Sequence, residues 1–582
     1  MSKYYTSERG PQIIIALLKA FGIRKVVASP GTTNMSLVAS MQQDPFFEMY
    51  SSVDERSAAY MACGMAAESS EPVVITCTGA TASRNYMPGL TEAFYRKLPI
   101  VALTANQGVK NIGHLIAQNI DRRRTPNDLV NMSVEVPAVT NEEEAWLCNV
   151  NVNKALLALT HNGGGPVLIN YTTTYSKDYS IKELLPVRVI ERITQNDKFP
   201  ELKVSGNIAI FIGVHRKFTA EETSAIDRFC AAHNAVCFCD HTSGYYGAYK
   251  VQQALICAQK AYNPIREISL LIHLGEISGD YCGLAIHPKE VWRVSEDGEV
   301  KDFFKCLHYV FDMPAKEFFS HYITTEESLQ ATYLATCHKE YQRIYDLIPE
   351  LPFGNIWVAQ QLAGKLPKGS RLHLGILNTL RSWNFFKIPD SVESICNVGG
   401  FGIDGIMSTL LGASLASPEK IFFGILGDLA FFYDLNSIAN RHVGNNLRIM
   451  LINNGRGTEF TNYGHPGHAF GEDADPFIAA AGHFGSKSPH LIRHYAKDLG
   501  FKYIKASNKQ EFLENYQEYI TSEPQSQPII FEVFTDSKDE SDAIELMSNL
   551  EHDPKTVKQV IKETIVNIVG ENTLHRIQNI LK

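Results

Sequence analysis

Short apolar runs recur along the chain, bounded by Gly, Asn, Asp or Pro and separated by stretches with helical spacing. One such run, 167–171, closes a first block just after the turn Gly163-Gly-Gly-Pro166. Runs at 208–212, 235–239, 270–274 and 290–294 make up a second block, and runs at 371–374, 394–397, 421–426, 447–452 and 528–533 a third. Apolar runs of strand length alternating with helices predict parallel sheets with both faces covered. The chain is therefore expected to be an α/β protein of three parallel-sheet domains, at 1–175, 190–345 and 351–540, with a helical C-terminal tail at 546–582. A charged, aperiodic connector is expected at 176–203. The first and third blocks each carry a glycine loop between strand and helix, which fits two distant copies of one fold.

Composition changes this picture little. The chain has 582 residues and is 45% hydrophobic, enough for large cores. Its net charge is −9 with no basic stripe, which argues against nucleic acid as a partner. The 11 cysteines are scattered, and Cys237-x-Cys239 lacks the spacing of a zinc pair, so reduced thiols and a cytoplasmic location are expected. The apolar stretch 13–18 follows Glu8 and Arg9 and is too short to span a bilayer. It predicts an amphipathic helix rather than a signal sequence, and no membrane partner.

The candidate chemistry begins at Gly427-Asp428, which follows the run 421–426, and at Asn453-Asn454, which follows the run 447–452, with an amphipathic stretch at 433–442 between. In one βαβ unit both strand ends open on the same edge, so the Asp428 carboxylate and the Asn454 carbonyl, two hard oxygen donors, converge on one Mg²⁺. A cation held by two side chains completes its shell with backbone, water and phosphate oxygens, which points to a diphosphate cofactor. A Gly-Asp pair at a strand end is by itself most often a turn, so a second signal matters. It is Glu55, at the start of the small-residue helix 57–66, although an acid in a first helical turn is also favoured by the helix dipole. A rival reading comes from Gly400-x-Gly402-x-x-Gly405, the fingerprint of a dinucleotide-binding turn. That dehydrogenase reading leaves Asn454 and Glu55 unexplained, and Asp428 falls later than the ribose-binding acid expected about 20 residues on.

Several segments together resemble the thiamin diphosphate (ThDP) enzymes of the acetolactate synthase and 2-oxo acid decarboxylase group. They are Ser29-Pro-Gly-Thr-Thr-Asn34, Val53-Asp-Glu-Arg56, Thr76-Cys-Thr-Gly-Ala80, Gly165-Pro-Val-Leu-Ile-Asn170, Gly402-Ile-Asp-Gly405 and Gly427-Asp-Leu-Ala-Phe-Phe-Tyr-Asp-Leu-Asn436. Within the group the likeness is greatest to the menaquinone-pathway synthases that join 2-oxoglutarate to isochorismate. The resemblance implies that the three domains bind aminopyrimidine, serve as a central domain, and bind diphosphate and Mg²⁺, respectively. It makes Asp428, Asn454 and the backbone carbonyl of Arg456 the metal ligands, although Gly is usual where Arg456 stands. Glu55 is then the acid that hydrogen-bonds the aminopyrimidine and drives removal of the thiazolium C2 proton, and Ile403 is the apolar wedge beneath the cofactor. Gly31, Thr32, Thr78, Gly79, Gly402, Gly427, Leu429 and Ala430 complete the cofactor contacts, and Gln118, His114 and Asn85 are candidate catalytic groups.

The activity so implied is decarboxylation of a 2-oxo acid donor and transfer of the resulting acyl-anion (aldehyde) unit to an unidentified acceptor, in a homodimer or homotetramer whose first domain faces the third domain of another chain. A simple decarboxylase and a catalytically silent ThDP-binding homologue are the alternatives. The resemblance weakens at the substrate. Three arginines of the menaquinone-pathway enzymes are replaced, at Gly31-Thr32-Thr33, near Gln107 and at Asn397-Val398-Gly399. Each would have supplied charge-assisted hydrogen bonds worth about 1.5–3 kcal/mol apiece. Isochorismate is accordingly not the expected acceptor. Arg84, Lys110, Arg381 and Arg456 are the cations left to meet a charged substrate, and His465, His468 and His483, with Glu459, are candidates for a lid.

Overall fold

The computed structural model describes residues 4–323, 331–482, 488–523 and 525–551. The chain divides into two compact units, one formed by residues 1–199 with 296–312 and the other by residues 200–295 with 313–582. The expected tail from 552 onward and His483 lie outside the described residues.

The first unit is built on six parallel strands: β1 (Lys25–Ala28), β2 (Glu48–Ser51), β3 (Val73–Cys77), β4 (Ile100–Asn106), β5 (Met132–Val136) and β6 (Val167–Thr172). Their order across the sheet is β2-β1-β3-β4-β6-β5. Every residue of β3 is buried, because helices cover both faces. On one face the helix Arg9–Ala20 packs Ile13, Ile14, Ile15, Leu17 and Leu18 into a core shared with the helix Glu142–Ala158. Full burial of such a side chain stabilises by roughly 1.5–3 kcal/mol. The amphipathic helix expected at 13–18 is thus an almost wholly buried one. On the other face lie the helices Glu55–Ser69 and Met87–Arg96. The same unit contains a parallel pair, β7 (Glu191–Thr194) with β15 (Leu307–Asp312). β7 falls inside the stretch expected to be an aperiodic connector.

The second unit contains a parallel array β10-β9-β8-β12-β14, formed by β8 (Ile208–Ile212), β9 (Val236–Cys239), β10 (Lys250–Val251), β12 (Leu270–Leu274) and β14 (Val291–Ser295). A short parallel pair joins β11 (Glu267–Ile268) to β13 (His287–Pro288). Its other sheet comprises β16 (Arg371–Leu374), β17 (Glu393–Cys396), β18 (Phe422–Gly427), β19 (Leu447–Asn453), β20 (Lys502–Ala506) and β21 (Ile529–Phe534), in the order β17-β16-β18-β19-β21-β20. Counted within each sheet, this is the strand order of β1 to β6. The likeness inferred from two glycine loops therefore extends to the whole topology. Between β18 and β19 the helix begins at once, as Asp428–Tyr433, and not at 433 as the apolar spacing suggests. A 3₁₀ segment, Leu435–Ala439, follows it. Among the described residues no helix is long and apolar enough to cross a membrane.

Candidate cofactor site

β18 and β19 are adjacent and parallel, with Gly427 in register with Ile452. Their chain ends therefore leave the sheet side by side, and Asp428 and Asn454 are the first residues beyond them. Asp428 is 3% exposed. Its Oδ1 accepts from the backbone N–H of Leu429 and its Oδ2 from that of Gly455, both at 3.0 Å, so the carboxylate ties the two strand ends together. Burial pushes its carboxyl up to about 6, although these backbone donors pull the other way.

Asn454 Oδ1 accepts from the backbone N–H of Arg456 at 3.2 Å, and its Nδ2 donates to Glu540 Oε2 at 3.1 Å. Glu540 lies on the helix Ser537–Met547, is 3% exposed, and also accepts from the Thr535 hydroxyl at 2.5 Å. Burial first, and then the nearby Asp428 charge, push its carboxyl up to about 7. The Arg456 guanidinium is turned to Asp475, at 2.7 Å.

Two buried acids and an amide oxygen thus gather without a side-chain cation among the described residues to balance them, and a hard divalent ion fits this donor set. Among the described residues no group of three or more His, Cys, Asp or Glu side chains could hold a metal by itself. A cation at Asp428 and Asn454 would therefore need backbone and ligand oxygens as well.

These residues head a cavity of about 310 Å³, which continues along Ile376, Leu377, Phe401, Ile403 and Phe460. A polar head over an apolar channel suits a ligand with a charged tail and flat rings. Gly427, Leu429 and Ala430 line the head, and a Cβ on Gly427 would meet nothing within 4 Å. Gly402 stands one residue before Ile403 and does not itself line the cavity.

Glu459 also lines the cavity and binds Arg381 through two hydrogen bonds, Nη1 to Oε2 at 3.0 Å and Nη2 to Oε1 at 3.1 Å. The Arg381 side chain is 12% exposed. His465 accepts from the backbone N–H of Gly467 through Nδ1, and His468 pairs its Nδ1 with the carbonyl of Thr461. Those two histidines are occupied in shaping the 458–474 segment.

In the first unit, Glu55 opens its helix behind Asp54, whose side chain caps the backbone N–H of Ser57 at 2.8 Å. Glu55 is half-buried, and its Oε2 accepts from Asn85 Nδ2 at 3.3 Å, which brings two of the candidate residues together. Gly31 and Thr32 lie in the loop after β1, and Thr78 and Gly79 in the loop after β3. A Cβ on Gly31 would lie 2.7 Å from the Thr78 Cβ, and one on Gly79 would lie 2.9 Å from the carbonyl of Ala105 and 3.3 Å from that of Gln118. Both glycines therefore permit close backbone approach at the C-terminal edge of the sheet.

Gln118 and His114 are exposed, and Gln118 has φ +61°, a conformation that side chains rarely take. The structure gives no contact that brings His114 to Glu55 or Gln118. Arg84 donates to the carbonyl of Asp121 at 2.9 Å, and Lys110 forms no ion pair with the described residues.

Two residues escape the reading of the sequence. Arg122 is 8% exposed, donates Nη2 to the carbonyl of Ala105 at 3.1 Å, and lines a small cleft with Gln118, Glu135 and Asn170. Glu540 is the other. Both sit in charged stretches, 121–124 and 536–542, that read as solvated surface.

The paired parallel sheets, with these loops at their C-terminal edges, are those of a thiamin diphosphate-dependent enzyme. Residues 8–125 match the family described as thiamine pyrophosphate enzyme, N-terminal TPP binding domain. Three 2-succinyl-5-enolpyruvyl-6-hydroxy-3-cyclohexene-1-carboxylate synthases are similar along almost their whole length. That of Phocaeicola vulgatus is 30% identical over 92% of this chain and 97% of its own. That of Bacteroides thetaiotaomicron is 31% identical over 91% and 96%, and that of Flavobacterium johnsoniae 28% over 90% and 95%. The chain belongs to the family of thiamin diphosphate enzymes that contains these synthases.

Proposed function

We propose that the protein decarboxylates a 2-oxo acid with the help of thiamin diphosphate and Mg²⁺ and transfers the resulting aldehyde unit to an acceptor. The observation that carries this reading is the buried pair Asp428 and Asn454, backed by Glu540, at the head of a cavity with an apolar floor. Asp428, the Asn454 side-chain oxygen and the Arg456 carbonyl would hold the metal. The backbone of Gly427, Leu429 and Ala430 would face the diphosphate, and Ile403 would support the rings. When bound, the cofactor would supply a thiazolium electron sink for the electron pair that the former carbonyl carbon of the donor keeps when CO₂ leaves. Glu55 holds and moves a proton at the aminopyrimidine, and Asn85 orients the Glu55 carboxylate. Gln118 and His114 are the polar groups offered to the donor and acceptor. The active form is a homodimer or homotetramer, and the reduced cysteines suit the cytoplasm.

The acceptor is read as different from isochorismate. Beyond the three replaced arginines, Arg381 is engaged by Glu459 and Arg456 by Asp475, so neither presents a free guanidinium to a carboxylate. The second reading is the reaction of the named relatives, favoured by 30% identity over 97% of a relative's length. A simple decarboxylase is the third.

The test is CO₂ release from pyruvate, 2-oxoglutarate and other 2-oxo acids with ThDP and Mg²⁺, each with and without acceptors, isochorismate included. Release from one acid, accelerated by an acceptor other than isochorismate, is the expected result. Acceleration by isochorismate alone would select the second reading, and free aldehyde without any acceleration the third. Silence across the whole panel would overturn all three.

A further inference from the structure

We propose that the edge of the β16–β21 sheet opposite the cofactor loops carries a second binding site, for a small organic phosphate, centred on the guanidinium of Arg448. A cavity of about 390 Å³ opens where β16, β18 and β19 begin, and Ser370, Lys368, Lys420, Arg448, Ser522 and Gln525 are among the residues that line it. This volume falls in the range of small-molecule sites, roughly 300–1,000 Å³.

Arg448 is the second residue of β19 and is 1% exposed. Its Nη1 donates to the carbonyls of Asn445 at 2.6 Å and Leu447 at 3.0 Å, whereas Nε has no acceptor and Nη2 forms no hydrogen bond with the described residues. Among the described residues no carboxylate pairs with it; burial lowers its pKa, and the Tyr519 phenol acts on it in the opposite direction. The other deeply buried guanidiniums of this unit are met by acids, Arg293 by Glu276 at 3.1 Å and Arg381 by Glu459.

A buried guanidinium without a counter-ion is unfavourable, and the unused Nε–Nη2 edge is the fork that binds carboxylate or phosphate through two parallel hydrogen bonds. Lys368 and Lys420 add two ammonium groups, and Glu419, the one carboxylate on the lining, offsets one of them by pairing with Lys420 at 3.7 Å, which leaves Arg448 and Lys368 in excess. The excess of cations suits a dianion better than a monoanion, and hence a phosphate ester better than a single carboxylate. The site is separate from the cofactor cavity. β18 and β19 run between the two, and at about 3.3 Å per residue they hold them roughly 20 Å apart.

The experiment uses the full-length enzyme saturated with ThDP and Mg²⁺, so that the cofactor's own phosphate site is filled. Calorimetric titration with inorganic phosphate and glycerol 3-phosphate, and with acetate and succinate for comparison, should show one phosphate ester bound per chain. The carboxylates should bind at least about tenfold more weakly. Arg448→Lys keeps the charge but loses the fork and should weaken binding by about tenfold or more. Lys368→Ala with Lys420→Ala, both nearer the surface, should weaken it several-fold and flatten its salt dependence. Absence of saturable binding of either phosphate compound to the wild-type holoenzyme would overturn the proposal. So would affinity unchanged in both variants, or carboxylates bound as tightly as the esters. Should Arg448→Lys not fold, the double lysine variant decides alone: weakened binding supports the site, and unchanged binding overturns it.

Discussion

Asp280 shows what burial does to a single carboxyl in this chain. It is 1% exposed, its Oδ1 accepts from the backbone N–H of Cys282 at 3.1 Å, and its Oδ2 has no hydrogen-bond partner among the described residues. Burial, and then the charge of Asp240, push it up to about 7. The folded chain therefore keeps a proton that the unfolded chain, with an ordinary carboxyl near 4, gives up. The associated stability is fully present below about pH 4 and is lost as pH rises through about 7. Asp280→Asn retains the acceptor for Cys282 and removes the titration. Thermal melts at pH 5, 6.5 and 8 should show stability falling with pH in the wild type and a shallower fall in the variant. The difference should be no more than about 4 kcal/mol, and equal slopes would clear Asp280 of the effect. Glu55 and Asp428 separate in another way. Glu55→Gln should lower turnover by about 10²–10⁴-fold, the scale of a lost general acid–base group, with ThDP and Mg²⁺ affinity close to wild type. Asp428→Ala should instead lose the affinity itself, as read by calorimetry. Loss of cofactor binding in Glu55→Gln would move that residue from chemistry to structure.

The element that presents Glu55 depends on a close helix crossing. On the helix Met87–Arg96, Gly89 packs against Ala59 of the helix Glu55–Ser69 so tightly that a Cβ on it would overlap the Ala59 Cβ, while Cys63 Sγ reaches the Gly89 carbonyl at 3.3 Å. Gly89→Val should force the helices apart, cost about 1–3 kcal/mol in chemical denaturation and lower kcat by displacing Glu55. Unchanged stability would mean the crossing has slack. The small residues at 57–66 made this approach legible in the sequence. The same holds for strands buried on both faces: the expected runs 208–212, 270–274 and 371–374 are the observed β8, β12 and β16. β7, β15 and β20 were not legible. Glu191-Arg-Ile-Thr194 has one apolar residue among its four and Lys502-Tyr-Ile-Lys-Ala506 is interrupted by lysines, and β20 is an edge strand of which Ile504 and Ala506 alone are buried. The site divides along the same line. Asp428 and Asn454 stand out because each ends an apolar strand. Glu540 and Arg122 are drawn into the interior from charged stretches, where only tertiary packing distinguishes the buried acid or base from its solvated neighbours.

At the scale of the whole molecule, Glu55 belongs to one compact unit and Asp428 to the other. The family resemblance places them at one cofactor from two different chains. Closed twofold symmetry would then give a dimer two equivalent sites, each with the Glu55 of one chain and the Asp428 of its partner. This arrangement can be tested with two inactive proteins. Glu55→Gln and Asp428→Ala chains, each without turnover alone, are unfolded, mixed in equal amounts and refolded. In the mixed dimer one site carries both substitutions and the other carries neither. Half of the dimers would be mixed, so the mixture should recover about a quarter of wild-type activity. If both residues served a site within their own chain, every site would carry one substitution and the mixture would stay silent. Recovery on mixing would therefore identify the dimer as the smallest catalytic unit, a conclusion that the activity of either variant by itself could not reach.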